Sequence, residues 1–171
     1  MMEFIFRLSM APGVIMHELA HALFCIFSGV KIYKIKLFSF NIRSKVAGYV
    51  THEEPESFWQ NFLITFGPFI INSLTTLFLF ALIKPPYLIW QNTLYLWLGL
   101  VIGLQAIPST GDAESLFSTT NRRILRNPLI LIAYPFVFLI YLLNWLKRIN
   151  FDLVYVILLF WLGNIALKGN F

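Results

Sequence analysis

The residues whose types and spacing could do chemistry are grouped in His17-Glu18-Leu19-Ala20-His21. On a helix, positions four apart lie on one face, about 6 Å apart along the axis, so both imidazoles can reach a single Zn²⁺ ion. Glu18 is rotated from His17 by about 100°, which leaves it close to the metal but poorly placed to ligate it. The spacing therefore predicts two zinc ligands, His17 and His21, with Glu18 as the general base that acts on a zinc-bound water.

A third protein ligand is expected, because catalytic zinc usually has three protein ligands and one open position. Asp112 follows Pro108 and Gly111, which interrupt the chain at the end of its third long apolar run. A backbone broken at membrane depth is tolerated beside protein or a wet cavity, so an acid there can turn inward to the metal. Asp112 is the predicted third ligand, and Glu114, which follows the same break, is its main competitor.

Two other side chains of ligand type fit a zinc site less well. His52 lies in the charged stretch Thr51–Glu56, which is typical of a solvated linker that leads into a helix with Pro55 in its first turn. Cys25 is separated from His17 by about 12 Å along the helix axis, too far for both to bind one ion. We therefore expect His52 to be solvated and Cys25 to be a small buried apolar residue.

The composition excludes an ordinary soluble domain. Hydrophobic residues make up 58% of the chain and charged residues 12%, whereas soluble domains carry about 25% charged residues. The mean hydropathy is +0.74, and the excess apolar surface is expected to face lipid. The net charge of +5 does not indicate nucleic-acid binding, because the Lys and Arg residues lie between apolar runs, where such residues contact anionic headgroups.

The elements that must position the motif are apolar runs, most of them close to the length of about 20 residues that crosses a bilayer as a helix. They predict an all-α polytopic membrane protein with about five transmembrane helices. We expect a single domain over residues 1–171, with a three-helix core over 1–115 and two additional transmembrane helices over 128–171. The runs are Phe4–Phe27, Phe58–Ile83, Tyr87–Ile107, Leu129–Trp145 and Leu153–Leu167.

Between the first and second runs, the residues Lys31–Val50 alternate loosely between apolar and polar types and include β-branched and aromatic side chains. This pattern predicts a small β-strand or hairpin element between the first two helices.

The basic residues predict the orientation. Five spans put nine Lys and Arg residues on the side that loops one and three share with the C-terminus, and four on the other side. By the positive-inside rule the chain is then a multi-pass protein of the cell membrane, with its N-terminus outside and its C-terminus cytoplasmic. The nine are Lys31, Lys34, Lys36, Arg43, Lys45, Arg122, Arg123, Arg126 and Lys168, and the four are Arg7, Lys84, Lys147 and Arg148.

The second run contains Gly67-Pro68 and, one helical turn later, Asn72. A Gly-Pro pair kinks a helix and allows another backbone to approach closely. Asn72 can hydrogen-bond either the backbone of a substrate or a neighbouring helix. Both alternatives stay open, and Asn72 and Gly67 are candidate substrate-positioning residues.

The chain resembles the site-2 protease family of intramembrane zinc metalloproteases. The resemblance rests on the embedded motif that ends at His21, the Gly-Pro kink in the next run and the acid after a proline at the end of the third, and it covers about residues 12–115. It implies that His17, His21 and Asp112 bind zinc and that Glu18 activates water.

The match to the family pattern has departures. The family's third-helix motif has an Asn, a Pro and then Asp-Gly, where this chain has Gln105, Pro108 and Gly111-Asp112. The spacing from the glycine at 67 to the asparagine at 72 also departs by one residue. These departures indicate a divergent member. Because we expect no upstream helix or regulatory domain, the chain would be a near-minimal core of the family.

The predicted function is hydrolysis of peptide bonds in transmembrane or membrane-associated proteins, with one Zn²⁺ per chain. The substrate must unwind near the cut, and the segment Lys31–Phe40 could hold it by β-addition. The expected partners are a membrane protein substrate and the lipid bilayer, without nucleic acid, and no pattern specifies an oligomeric state. Two alternatives are a membrane zinc hydrolase acting on a non-peptide bond, and a non-catalytic relative that binds metal or partners. The presence of Glu18 disfavours the second.

Overall fold

The computed structural model describes residues 2–41, 44, 46–124 and 130–168. The described chain is mostly helical, with one small two-stranded sheet. Three basic residues of the topology count, Arg43, Lys45 and Arg126, lie outside the described residues, as do 128–129 and 169–171 of the predicted C-terminal helices. The helices are α1 (Met2–Ser9), α2 (Ala11–Phe27), α3 (Phe58–Ala81), α4 (Trp90–Leu104), α5 (Thr110–Ile124), α6 (Ile130–Leu146) and α7 (Phe151–Lys168), with a 3₁₀ turn at Lys147–Ile149.

Local sequence signals account for the starts of the two longest core helices. Pro12 occupies the first turn of α2, where its missing N–H leaves no helix bond unmade. Helix α3 begins with a capping box, in which the Gln60 amide N–H donates to the Ser57 hydroxyl and the Ser57 N–H donates to the Gln60 side chain.

The predicted β element is confirmed. Strand β1 (Ile32–Lys36) pairs with β2 (Tyr49–His52) in antiparallel register, with Ile35 opposite Val50. The strands lie between α2 and α3 in the chain, and β1 covers only part of the segment predicted to be strand-like.

Close helix contacts build the core from α2, α3 and α4. A Cβ atom on Gly13 of α2 would lie 2.0 Å from the Val101 carbonyl oxygen of α4. One on Gly67 of α3 would lie 2.4 Å from the Phe24 ring of α2. Only glycine permits these approaches, which are typical of helix packing in membranes.

The two C-terminal helices differ from the predicted pair of spans. Helices α6 and α7 meet at an angle of 105°. The 3₁₀ turn between them contacts the segment that leads into α5, because the Lys147 ammonium donates to the Ile107 carbonyl at 3.1 Å. The five-span count places Lys147 on the side opposite to loop three. The contact with Ile107 instead brings the turn beside the start of α5, and the membrane side of each stays a prediction.

The direction of α7 differs from the one expected of five straight, alternating spans. Tyr155 stacks on Phe69 of α3, and a Cβ atom on Gly163 would lie 3.1 Å from the Leu77 carbonyl oxygen, so α7 runs parallel to α3. Helix α2 runs antiparallel to α3, as the hydrogen bond from Gln60 to the Ser28 carbonyl requires. The first residues of α2 and the last of α7 therefore lie at the same end of the bundle, not at opposite ends as five straight spans required.

Among the described residues, one helix, α3, is long and apolar enough to cross a membrane alone. Two bent pairs, α1 with α2 and α6 with α7, each qualify as a broken span or a re-entrant loop, which gives up to three spans if each pair is one. Helix α4 has 15 residues, or about 22 Å, against about 30 Å of hydrocarbon. The structure is thus compatible with a membrane protein, and the prediction of five transmembrane helices is not confirmed.

Candidate metal centre

Three side chains that are far apart in sequence converge at the middle of the bundle. The Nε2 atom of His21 lies 3.2 Å from Nε2 of His17 and 3.3 Å from Oδ2 of Asp112. The third side of this triangle, from His17 Nε2 to Asp112 Oδ2, measures 3.6 Å. Among the described residues, these three form a group that could hold a metal ion.

His17 is oriented by the end of α4. Its Nδ1 atom donates to the Gln105 carbonyl at 2.6 Å. Helix α4 ends at Leu104, so the carbonyl of Gln105 is one of those that no helical N–H can reach. The Asn72 amide donates to the same oxygen at 3.0 Å, which fixes the acceptor from the α3 side.

His21 is oriented by a carbonyl that a proline leaves free. Its Nδ1 atom donates to the Ile64 carbonyl at 2.9 Å. Inside a helix that carbonyl would accept from the N–H four residues on, but the residue there is Pro68, which has no N–H. The Gly-Pro pair that the sequence indicated as a kink therefore also provides the acceptor that aims an imidazole at the metal centre.

These contacts decide which ring nitrogens are free. A carbonyl only accepts, so Nδ1 carries the hydrogen in both rings and, in a neutral imidazole, Nε2 presents a lone pair. Two lone pairs and a carboxylate this close repel one another unless a cation lies among them. Ligand atoms about 2.0–2.2 Å from a tetrahedral ion lie roughly 3.3–3.6 Å apart, close to the three distances observed. The donor set and its spacing fit a metal ion.

Asp112 is positioned by the first turn of α5. Its Oδ2 atom accepts from the Ser109 N–H at 3.0 Å, and the Asp112 N–H donates to the Ser109 hydroxyl at 3.3 Å, as in a capping box. An ionised carboxylate is the form that binds metal.

Gly111 does not interrupt the helix or aim Asp112 by an unusual backbone conformation, although it was expected to interrupt the chain with Pro108. Gly29 is the one glycine with positive φ in the described part of the chain, and Gly111 lies within helix α5. The helix start itself turns Asp112 toward the histidines.

Glu18 lies beside the three ligand atoms, in the wall of a cavity of about 560 Å³ that His17, His21 and Asp112 also line. The side chain is within electrostatic range of His21 and Asp112. The stretch before β2 covers it closely, since a Cβ atom on Gly48 would lie 2.7 Å from the Glu18 Cγ atom. A carboxylate in this position faces the space that a substrate would occupy.

The other candidate residues lie outside the triangle. Glu114 is exposed and lines a neighbouring cavity. His52 lines the metal-site cavity from β2, and its Nδ1 atom lies 2.7 Å from the Glu53 carbonyl. Cys25 is fully buried against Val30 and Ile64, as expected of an apolar residue.

The two candidate substrate-positioning residues line neither of the cavities at the site. Asn72 is fully buried and bonds the carbonyl that orients His17, and Gly67 packs on Phe24. A role in contacting substrate stays a prediction for both. Their contacts support the arrangement of the metal centre and the packing of α2 on α3.

Sequence reasoning missed the groups that surround the triangle. The carbonyls of Gln105 and Ile64 carry no side-chain signal, although Pro68 was a usable clue to the second of them. Lys147 was assigned to the headgroups but lines the cavity. Gly48 gave no signal because its role depends on how the hairpin folds over Glu18.

Comparisons with protein-family models, with curated proteins and with solved structures find no match to this chain. The function must therefore be inferred from the geometry of the site.

Proposed function

We propose that this protein is an intramembrane zinc metalloprotease, similar to the site-2 proteases, that hydrolyses peptide bonds of membrane-spanning or membrane-associated proteins. The observation that carries the proposal is the convergence of two Nε2 atoms and one carboxylate oxygen within 3.2–3.6 Å, beside a free glutamate carboxylate in a cavity. A metal-binding group needs only the three ligands. The adjacent Glu18 is what favours an enzyme over a metal-binding protein without turnover.

Zinc fits the donor set better than the other common divalent ions. Two imidazole nitrogens and one carboxylate oxygen, with a fourth position open, form the ligand set of many catalytic zinc sites. Calcium and magnesium prefer six or more oxygen ligands, which the described wall of the site does not offer. Both histidines also have their second nitrogen bonded to a carbonyl, the arrangement that orients ligands of zinc. We expect one ion per chain.

The three ligands and Glu18 have separate roles in the proposed reaction. A zinc ion held by His17, His21 and Asp112 would supply Lewis acidity to the attacking water and to the scissile carbonyl. Glu18 takes a proton from that water and returns it to the leaving amine. The carboxylate can do both because it lines the cavity without being a member of the ligand triangle.

The sheet beside the cavity suits an extended substrate. A helix has no exposed carbonyl for attack, so the substrate must unwind before it is cut. Residues Gly48, Tyr49, Val50 and His52 line the same cavity as the ligand triangle. We infer that an unwound segment adds to the outer edge of β2, rather than to β1 as the sequence suggested.

The membrane setting follows from the surface of the helices. Large apolar side chains are exposed along α2, α3, α4 and α7, among them Phe27, Phe78, Trp97 and Trp161. We propose a multi-pass protein of the cell membrane, in which the basic loop between α2 and α3 faces the cytoplasm and the opposite end of the bundle faces outward. The ligand triangle then lies within the bilayer, near its cytoplasmic side.

The experiment that tests the proposal pairs metal analysis with cleavage. Purified protein is analysed for zinc and incubated with membrane-spanning test segments, in parallel with Glu18→Gln. Cleavage that requires Glu18 at equal zinc content supports a peptidase. A metal-loaded protein that cleaves no peptide but hydrolyses another membrane ester or amide supports the non-peptide alternative.

A further inference from the structure

Lys147 is a cation in the wall of the metal-site cavity, contributed by the 3₁₀ turn between α6 and α7. Its Nζ atom donates to the Ile107 carbonyl at 3.1 Å. Asn144 holds the same stretch, because its side-chain amide donates to the Pro108 carbonyl at 3.0 Å. Lys147 is therefore fixed against the backbone that leads into α5 instead of extending toward lipid headgroups.

This ammonium group has no ion-pair partner among the described residues. The ion pair there joins a surface arginine to Glu54, and the Asp112 carboxylate faces the two imidazoles. Asp112 and Asp152 act on Lys147 only at longer range. A half-buried ammonium group is costly to hold without a paired anion, above all in a membrane protein. The position can therefore accept an anionic group from outside the chain.

A second cavity, of about 420 Å³, is also lined by Lys147. It shares Ser109, Thr110 and Lys147 with the metal-site cavity, so the two spaces adjoin. Arg148 adds a second positive charge and Glu114 a single negative one, both on exposed side chains. The hydroxyl groups of Thr110 and Tyr141 and two cations around one space favour a bound anion.

We propose that Lys147 binds a carboxylate of the substrate, so that the enzyme selects segments with an acidic side chain or a chain-terminal carboxylate in the part that fills the cavity. The inference rests on the proposed function, since it assigns a substrate group to the same cavity. The two carboxylates of the site have other roles: Asp112 belongs to the ligand triangle with the imidazoles, and Glu18 transfers the proton. A substrate carboxylate supplies the missing partner of Lys147 and fixes the register of the segment on the metal centre.

Binding can be measured without turnover in the zinc-loaded Glu18→Gln protein. The probe is a synthetic transmembrane segment of about 20 Leu and Ala residues with a central Asn-Gly pair. In one set of segments, binding is compared between Asp and Asn placed at each position near the centre. In a second set, the segment ends at the centre, and binding is compared between its free C-terminal acid and its C-terminal amide. We expect one placement of the carboxylate to bind about tenfold more tightly than its amide. If an internal Asp gives the tighter binding, Lys147 binds a side-chain carboxylate. If the truncated free acid does, Lys147 binds a terminal carboxylate.

Variants of Lys147 assign the preference to its charge. Lys147→Gln keeps a donor for the Ile107 carbonyl but removes the charge, so the acid and the amide should bind equally. Lys147→Arg should retain the preference. Lys84→Met lowers the net charge equally at an exposed position and should also retain it.

The inference is overturned if acid and amide bind alike at every placement, or if Lys147→Gln keeps the preference. The first of these outcomes needs no variant of Lys147, so it remains decisive even where Lys147→Gln fails to fold. Cleavage of the Asn segment by the wild-type protein tests the proposed function separately. Cleavage without a preference for the acid rejects only the role of Lys147, and a preference without cleavage rejects only the protease.

Discussion

The Nε2 atom of His21 lies 3.3 Å from the Asp112 carboxylate, although 91 positions separate the two residues. The contact joins α2 to the first turn of α5, and His17 completes the group. Glu114, the other acid after the break at Pro108, points into the neighbouring cavity instead.

Asp112→Ala and Glu114→Ala should therefore differ sharply. Loss of the Asp112 carboxylate leaves two imidazoles facing each other without a charged third ligand, so we expect most of the zinc and all turnover to be lost. Glu114→Ala should retain both, because its carboxylate lies outside the triangle. Zinc content per chain after purification distinguishes the two variants. Loss of zinc in Glu114→Ala but not in Asp112→Ala would show that Glu114 is the third ligand.

Pro68→Ala tests the carbonyl that orients His21. An N–H at position 68 would compete with His21 Nδ1 for the Ile64 oxygen, and loss of such an orienting bond typically lowers metal affinity about 10–100-fold. Helix α3 itself should be no less stable, because a missing helix bond is restored. Zinc affinity is measured by competition with a chelator and stability by thermal unfolding.

The matched control is Pro135→Ala, which makes the same change inside α6. It should leave zinc affinity unchanged. Unaltered zinc affinity in Pro68→Ala would show that the Ile64 carbonyl does not position the ligand.

Gly48→Ala tests how closely the hairpin covers Glu18. The new Cβ atom would lie 2.7 Å from the Glu18 Cγ atom and 2.8 Å from the Leu37 carbonyl oxygen, so the carboxylate or the strand must shift. We expect zinc to be retained and kcat to fall by about 100-fold, since small displacements of catalytic groups carry costs of that order. In Gly111→Ala the new Cβ atom would meet only the Ser109 hydroxyl, at 3.9 Å, and should be tolerated. Equal kcat values for the two variants would contradict the expected role of Gly48.

The sequence predicted the grouping of the candidate ligands better than the arrangement of the helices. Motif spacing alone brought His17, Glu18 and His21 to one helix, and Asp112 could be chosen because few acids lie near the membrane. The five-span prediction is not confirmed at α6 and α7, because an apolar run sets the length of a helix and not its direction. Their 105° bend depends on tertiary contacts of Asn144 and Lys147 that no local pattern encodes.

Reporter fusions at the two ends of the chain check the direction of α7. Because α7 runs parallel to α3 and α2 runs antiparallel to it, a reporter before Met2 and one after Lys168 should report the same side of the membrane. A third reporter in the loop between α2 and α3 should report the other side. Fusions at the two termini that report opposite sides would restore the five-span arrangement.

The central claim is that Glu18 and a bound zinc ion hydrolyse peptide bonds. The most direct measurement is cleavage of a membrane-spanning segment by the wild-type protein and by Glu18→Gln, each purified in the same way and analysed for zinc. The account predicts about one zinc per chain in both proteins, with new peptide termini produced by the wild type and none by Glu18→Gln. Equal cleavage by the two proteins, or cleavage that persists after His21→Ala has removed the zinc, would contradict it.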